Sequence, residues 1–188
     1  QYKGITVEEW AQGPGPGRYD LLPPISVTGE KQQTMDFSIP IQQSPYAIFM
    51  RAGEGDDVKG LDDLEERPVG VRENNYAAQL AQNHGGLTLS TYPDEFGLFD
   101  GLLRGEVDAV LYASVPAREA LARSGRSQDV REIQPPFEVS QRAVALRLGL
   151  PEVRERLDAV IPGYLSSEEY IALRDRWLGD PVFWTPAR

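Results

Sequence analysis

Asp20-Leu-Leu-Pro-Pro-Ile-Ser-Val-Thr-Gly-Glu-Lys31-Gln-Gln-Thr-Met-Asp-Phe37-Ser-Ile-Pro40 decides how the chain is read, because polar and apolar residues alternate along it with turn-formers between. Tyr19 to Leu22 reads as a short buried strand that Pro23-Pro24 stops, since proline donates nothing to a sheet ladder. Ser26 and Thr28 lie two apart, so on an extended backbone both hydroxyls face one side. Gly29-Glu30-Lys31 then makes a turn that brings a cation beside them. Two hydroxyls, free backbone N–H groups and one ammonium at a strand end suit a small polar or anionic ligand. The same residues also fit a solvated turn carrying a surface lysine.

The chain of 188 residues is long enough to bury roughly 70% of its unfolded surface, as one domain or two small lobes. A hydrophobic content of 40% with 26% charged residues is that of a globular protein. Its net charge of −10 and pI near 4.6 argue against nucleic acid and against an anionic membrane surface as partners. Without cysteine there is no disulfide, thiol nucleophile or Cys-based zinc site, and the single histidine, His84, rules out His clusters. His84 precedes Gly85-Gly86, where a role in capping a helix C-terminus is expected. No cofactor and no metal are expected. The acidic cluster Asp56-Asp57, Asp62-Asp63 and Glu65-Glu66 lacks the alternating ligands and central glycine of a calcium loop and reads as solvated.

Further along, short strands alternate with helices, which predicts an α/β fold with parallel strands. Strands are expected at Tyr2 to Val7, Met35 to Ser38, Tyr46 to Arg51, Pro68 to Glu73, Leu87 to Thr91, Val107 to Tyr112, Val130 to Ile133 and Ala143 to Leu148. Helices are expected near residues 75–82, 96–104, 116–123, 151–161 and 167–178, with a helical turn at Glu8 to Gln12. Asn74 is the expected N-cap of the first of these, and Ser166-Ser167-Glu168-Glu169 starts the last. The aromatic residues Trp177, Phe183 and Trp184 read as packing of the last helix.

Gly17-Arg-Tyr-Asp20, Ser26-Val-Thr28 and Asp36-Phe37-Ser38-Ile-Pro40 resemble the signature of the family 3 extracytoplasmic solute-binding proteins. Leu61-Asp-Asp-Leu64, Leu103-Arg-Gly-Glu-Val-Asp-Ala-Val110, Ala143 to Leu148 and Tyr170 to Gly179 follow in the family's order. The resemblance implies a bilobed, periplasmic-binding-protein-like fold of type II, with two mostly parallel sheets joined by a two-strand hinge. The first lobe would be residues 1–51 with 141–188 and the second 52–140. Members usually begin with a further strand and helix, so the first lobe is expected to be incomplete at its N-terminus.

The expected ligand-binding residues are Ser26, Thr28 and Lys31 in the first lobe, with Asn74, Asn75, Tyr112 and Ser114 beyond strand ends in the second. Amino-acid binders of the family carry an arginine fork where this chain has Lys31, and Gly-Ser/Thr where it has Asn74-Asn75. They also carry an ammonium-binding aspartate where it has Ala113, so a standard amino acid does not follow from the resemblance.

The implied function is binding of a solute by cleft closure, without enzymatic chemistry, in the periplasm and tethered to the inner membrane. Asp20 to Thr28 looks like the sensor branch, in which the domain drives a histidine kinase or diguanylate cyclase, and Trp184-Thr-Pro-Ala-Arg188 looks like a juxtamembrane end. An ABC importer component, handing its solute to a permease partner, is the alternative. An enzyme on the same scaffold would have only Asp36, Asp108 or Lys31 to offer as acid or base.

Overall fold

In the computed structural model, which describes residues 4, 13–15 and 18–178, alternation along the strands builds two cores on the two faces of one sheet region. The expected strand at Tyr2 to Val7, the turn at Glu8 to Gln12 and the end segment with Phe183 and Trp184 lie outside the described residues, as does the side chain of Trp177. Contacts divide the chain into two compact units, residues 1–43 with 140–188 and residues 44–139.

The second unit contains the 44–51 part of β3 (Gln42–Arg51), then β4 (Pro68–Arg72), α2 (Tyr76–His84), β5 (Thr88–Tyr92), α3 (Glu95–Arg104), β6 (Ala109–Ala113), α4 (Ser114–Arg123) and β7 (Val130–Glu132). β4 pairs in parallel with β5 and β6, whereas β3 pairs antiparallel with β6 and β7. Those antiparallel pairs are why residues 44–51 belong with this unit.

Tyr46, Ile48, Met50, Val69, Val71, Ala109 and Leu111 face a core covered by Ala77, Ala78 and Ala81 of α2. Their neighbours Ala47, Phe49, Val110 and Tyr112 face the other core, closed by Leu98, Phe99 and Leu102 of α3 and Ala117 and Leu121 of α4. A period of two thus feeds both faces from the same strands, which is why the run at 46–50 reads as uniformly apolar. Each fully buried Val, Leu or Phe contributes about 1.5–3 kcal/mol. Gly70 lets α3 approach, since a Cβ there would stand 2.9 Å from Leu98 Cδ1.

The first unit contains β1 (Leu21–Ser26), the four-residue helix α1 (Gly29–Gln32), β2 (Met35–Phe37), the 140–147 part of β8 (Glu138–Arg147), α5 (Pro151–Leu165) and α6 (Glu168–Leu178). It departs from the mostly parallel sheet expected: β1 and β2 each pair antiparallel with β8, because the returning strand runs against both. Pro23-Pro24 does not stop β1 either. The prolines sit in a bulge between Leu22 and Ile25 where the register shifts, the place where a strand tolerates residues that cannot donate. Leu22, Ile25, Met35 and Ala145 make a small core.

β8 begins before the expected Ala143 because Glu138-Val-Ser-Gln-Arg142 already alternates exposed and buried positions. α5 runs through Pro162 to Leu165, past the expected stop near Ile161. Asp158 on α5 accepts from Ile39 N–H at 2.7 Å, and Ser167 Oγ accepts from Tyr170 N–H at 3.2 Å as the cap of α6.

Candidate functional site

Local geometry explains how the 26–31 segment of the first unit is held. Thr28 is extended (φ −131°, ψ 152°), and its Oγ1 accepts from Lys31 N–H at 3.3 Å as the N-cap of α1. That use leaves the hydroxyl hydrogen to donate. α1 then folds Lys31 back over the strand, so its Nζ donates to the Ser26 carbonyl at 3.2 Å. Ser26, Thr28 and Lys31 are therefore brought together as expected, although Ser26 is 8% exposed and takes part through its carbonyl. Lys31 is half-buried with no carboxylate bonded to it among the described residues. Burial holds its ammonium below the ordinary lysine range, Glu30 pulls it back up, and Arg142 pushes it further down.

In the second unit the parallel strands β4 and β6 lie side by side, so the segments after them, Glu73-Asn74-Asn75 and Ala113-Ser114, leave adjacent carboxyl ends. Asn75, not Asn74, caps α2: its Oδ1 accepts from Ala77 N–H at 2.8 Å. Asn74 stands one residue earlier with φ +52°, a left-handed conformation that asparagine tolerates and glycine favours. The pair thus meets the same backbone demands as a Gly-Ser/Thr pair. Asn74→Gly should leave the melting temperature unchanged or slightly raised, whereas Asn74→Ala should cost about 1 kcal/mol in thermal or urea unfolding.

Tyr112 and Ser114 are placed differently from expectation. Tyr112 is 3% exposed and Ser114 fully buried, with no partner for Ser114 Oγ among the described residues. Tyr112 acts on its surroundings through Arg72, whose Nη1 donates to Tyr112 Oη at 3.4 Å and lies 3.8 Å from Glu95 Oε2. Burial pushes the Tyr112 phenol up, partly offset by Arg72.

Two arginines escaped the sequence reading. Arg72 ends β4 two residues before Asn74 and keeps a buried Nε–H without a partner among the described residues. A lone cation closing the apolar run Val69-Gly-Val71 is the signal that could have found it. Arg142 was lost because the expected returning strand began only at Ala143, whereas Arg142 already pairs in β8 opposite Ser26.

Asp108 is committed to structure. Arg51 Nη2 donates to Asp108 Oδ1 at 3.0 Å, while Nη1 donates to the Leu102 and Val107 carbonyls, each at 2.8 Å, and Nε to Glu54 Oε1 at 3.0 Å. The acidic loop is likewise spent on ion pairs, Asp57 with Arg67 and Asp56 with Arg131. His84 ends α2 with its Nε2 at 3.1 Å from Asp62 Oδ1, and the cap itself is Gly85, whose N–H donates to the Ala81 carbonyl. Among the described residues no group of three His, Cys, Asp or Glu side chains could hold a metal. No described helix is long and apolar enough to cross a membrane.

The model of the bacterial extracellular solute-binding proteins, family 3, matches residues 1–180. The L-cystine-binding protein TcyJ of Escherichia coli K12 is 26% identical over 159 residues, 84% of this chain and 59% of the relative. This chain therefore spans somewhat under two thirds of the length of that curated relative. Among solved structures, a mutant of the arginine-binding protein ArgBP from T. maritima superposes with a TM-score of 0.76 at 20% identity, covering 94% of this chain and 76% of that one. A histidine kinase sensor domain with similarity to periplasmic binding proteins gives 0.73 at 26% identity, covering 87% and 71%. The mixed α/β fold is that of these periplasmic-binding-protein-like structures, and the chain belongs to the family 3 bacterial extracellular solute-binding proteins.

Proposed function

We propose that this chain binds a small polar or anionic solute outside the cytoplasm, and that it is the sensing module of a membrane signalling protein such as a histidine kinase or diguanylate cyclase. The observation that carries the binding reading is Lys31: a half-buried ammonium bonded to a carbonyl, beside the Thr28 hydroxyl, with no carboxylate bonded to it among the described residues. Lys31 and Thr28 supply contacts from the first unit, with Ser26 fixing the lysine. Asn74-Asn75 and Arg72 form a separate candidate group within the second unit. Binding needs no covalent step, only a higher affinity for one conformational state than for another. Asp108 pairs with Arg51, which gives it a structural use. The sensor reading draws support from the histidine kinase sensor domain at 26% identity. The resemblance to the cystine-binding protein TcyJ, also 26% identical, favours the second reading, an importer component that works with a permease.

Lys31 provides the test. A charge-assisted hydrogen bond is worth roughly 1.5–3 kcal/mol, so Lys31→Ala should weaken solute binding on the order of tenfold to a hundredfold in calorimetric titration. The melting temperature of the ligand-free protein should hardly move. Lys31→Arg should bind a carboxylate solute as well or better, since it supplies a fork. Because the Lys31 pKa is lowered, affinity for an anion should fall with rising pH before an ordinary lysine titrates, and bound anion should draw that pKa back up. Parent-like affinity in both variants would show Lys31 to be a surface residue only.

A further inference from the structure

The Pro24–Ser26 end of β1 is reached by two cations from different parts of the first unit. Lys31 Nζ, from α1, donates to the Ser26 carbonyl at 3.2 Å. Arg142, from β8, is the ladder partner of Ser26, and its Nη2 donates to the Pro24 carbonyl at 2.7 Å. Neither is bonded to a carboxylate among the described residues, although the chain as a whole carries a net charge of −10. Arg142 Nε–H is buried and has no partner among the described residues. The charge on Arg142 disfavours the charged form of Lys31, and Arg142 Nε–H remains under-satisfied. An anion placed between the two cations offsets that effect and supplies the acceptor that a guanidinium edge takes best, a pair of oxygens on one group.

We infer that Lys31 and Arg142 form one two-cation site in the first unit, which selects a doubly charged oxyanion over a zwitterion. This rests on the solute-binding reading and narrows it to a ligand class. Arg142 supplies, from the neighbouring strand, the planar guanidinium that Lys31 lacks, and Thr28 Oγ1 adds a neutral donor. A phosphate dianion and a small dicarboxylate share the required chemistry.

The inference is tested on the whole chain with two readouts. In the first, the lysines Lys3, Lys31 and Lys59 are labelled by ¹³C-methylation and the Lys31 signal is titrated by NMR without any solute. Arg142→Gln should raise the Lys31 pKa and Arg142→Lys should leave it low; an unchanged Lys31 in Arg142→Gln would overturn the shared site. In the second, inorganic phosphate, succinate and glycine are titrated calorimetrically at low ionic strength. Phosphate or succinate should bind the parent and glycine should not, with at least tenfold loss in Arg142→Gln and in Lys31→Gln. Binding of phosphate alone identifies a phosphate-type ligand, and of succinate alone a dicarboxylate. If Arg142→Gln unfolds because its bond to Pro24 is lost, Arg142→Lys, which keeps the charge, should bind within a few-fold of the parent. Glycine binding equally to parent, Arg142→Gln and Lys31→Gln would contradict the two-cation site and leave the solute-binding function standing. No binding of any of these solutes would count against both.

Discussion

Phe99→Ala is expected to lower the melting temperature by about 10 °C. Phe99 is 4% exposed and stands edge-on between two rings, 5.6 Å from Phe49 and 6.2 Å from Tyr112. Removing a buried phenyl group costs about 3–5 kcal/mol, because transfer energy and a residual cavity add, and for a chain of this length each kcal/mol is worth about 2–4 °C. The consequence reaches beyond stability, since the lost ring borders Tyr112, whose hydroxyl accepts from Arg72 at the carboxyl end of β4. Phe99→Leu should recover most of the loss, because it refills much of the volume. A fall below about 3 °C for the alanine variant would mean that α3 does not pack on the sheet as described.

Arg51→Met comes next, at about 3 kcal/mol. One guanidinium ties the end of β3 to the last turn of α3, to the residue before Asp108 and to Asp108 itself. Methionine keeps the length of the side chain but leaves the Leu102 and Val107 carbonyls without this donor and Asp108 without its cation, and unpaired groups of that kind are costly. Asp108→Asn should cost under about 1 kcal/mol, because Arg51 keeps both carbonyls and Glu54, and an amide oxygen still accepts. The two melting curves separate a clamp centred on Arg51 from a role of Asp108 in its own right, in which Asp108→Asn would be the more damaging change.

Much of the second unit was legible because its signals are local. The run at 46–50 and the strands at Val69-Gly-Val71 and Val107 to Tyr112 carry their burial in their composition, and Gly85 and Gly105 mark helix ends with positive φ. The first unit was harder, since its β1 is joined to β8 by pairing across more than a hundred residues and bulges at two prolines that read as a stop. The site shows the same division. Ser26, Thr28 and Lys31 meet within one short segment, so their grouping followed from spacing. Arg142 joins them only through long-range pairing, and no local pattern announces it. Asn75 displaced Asn74 as the cap because the left-handed turn needed before α2 takes up one more residue. Tyr112 and Ser114 stand at the right strand end but are buried there, which alternation could not tell apart from exposure at a boundary between strand and helix.

We propose that this member of the solute-binding family takes a small polar or anionic solute with Lys31 as a contact. A melting-temperature screen of this chain against amino acids, dicarboxylates and phosphorylated metabolites provides the test, with Lys31→Ala measured alongside the parent. A solute at a hundred times its dissociation constant adds about 2.7 kcal/mol, which should raise the parent's melting temperature by about 5–10 °C and the Lys31→Ala protein's by clearly less. A panel that leaves the parent unmoved, or a solute that stabilises both proteins equally, would contradict it.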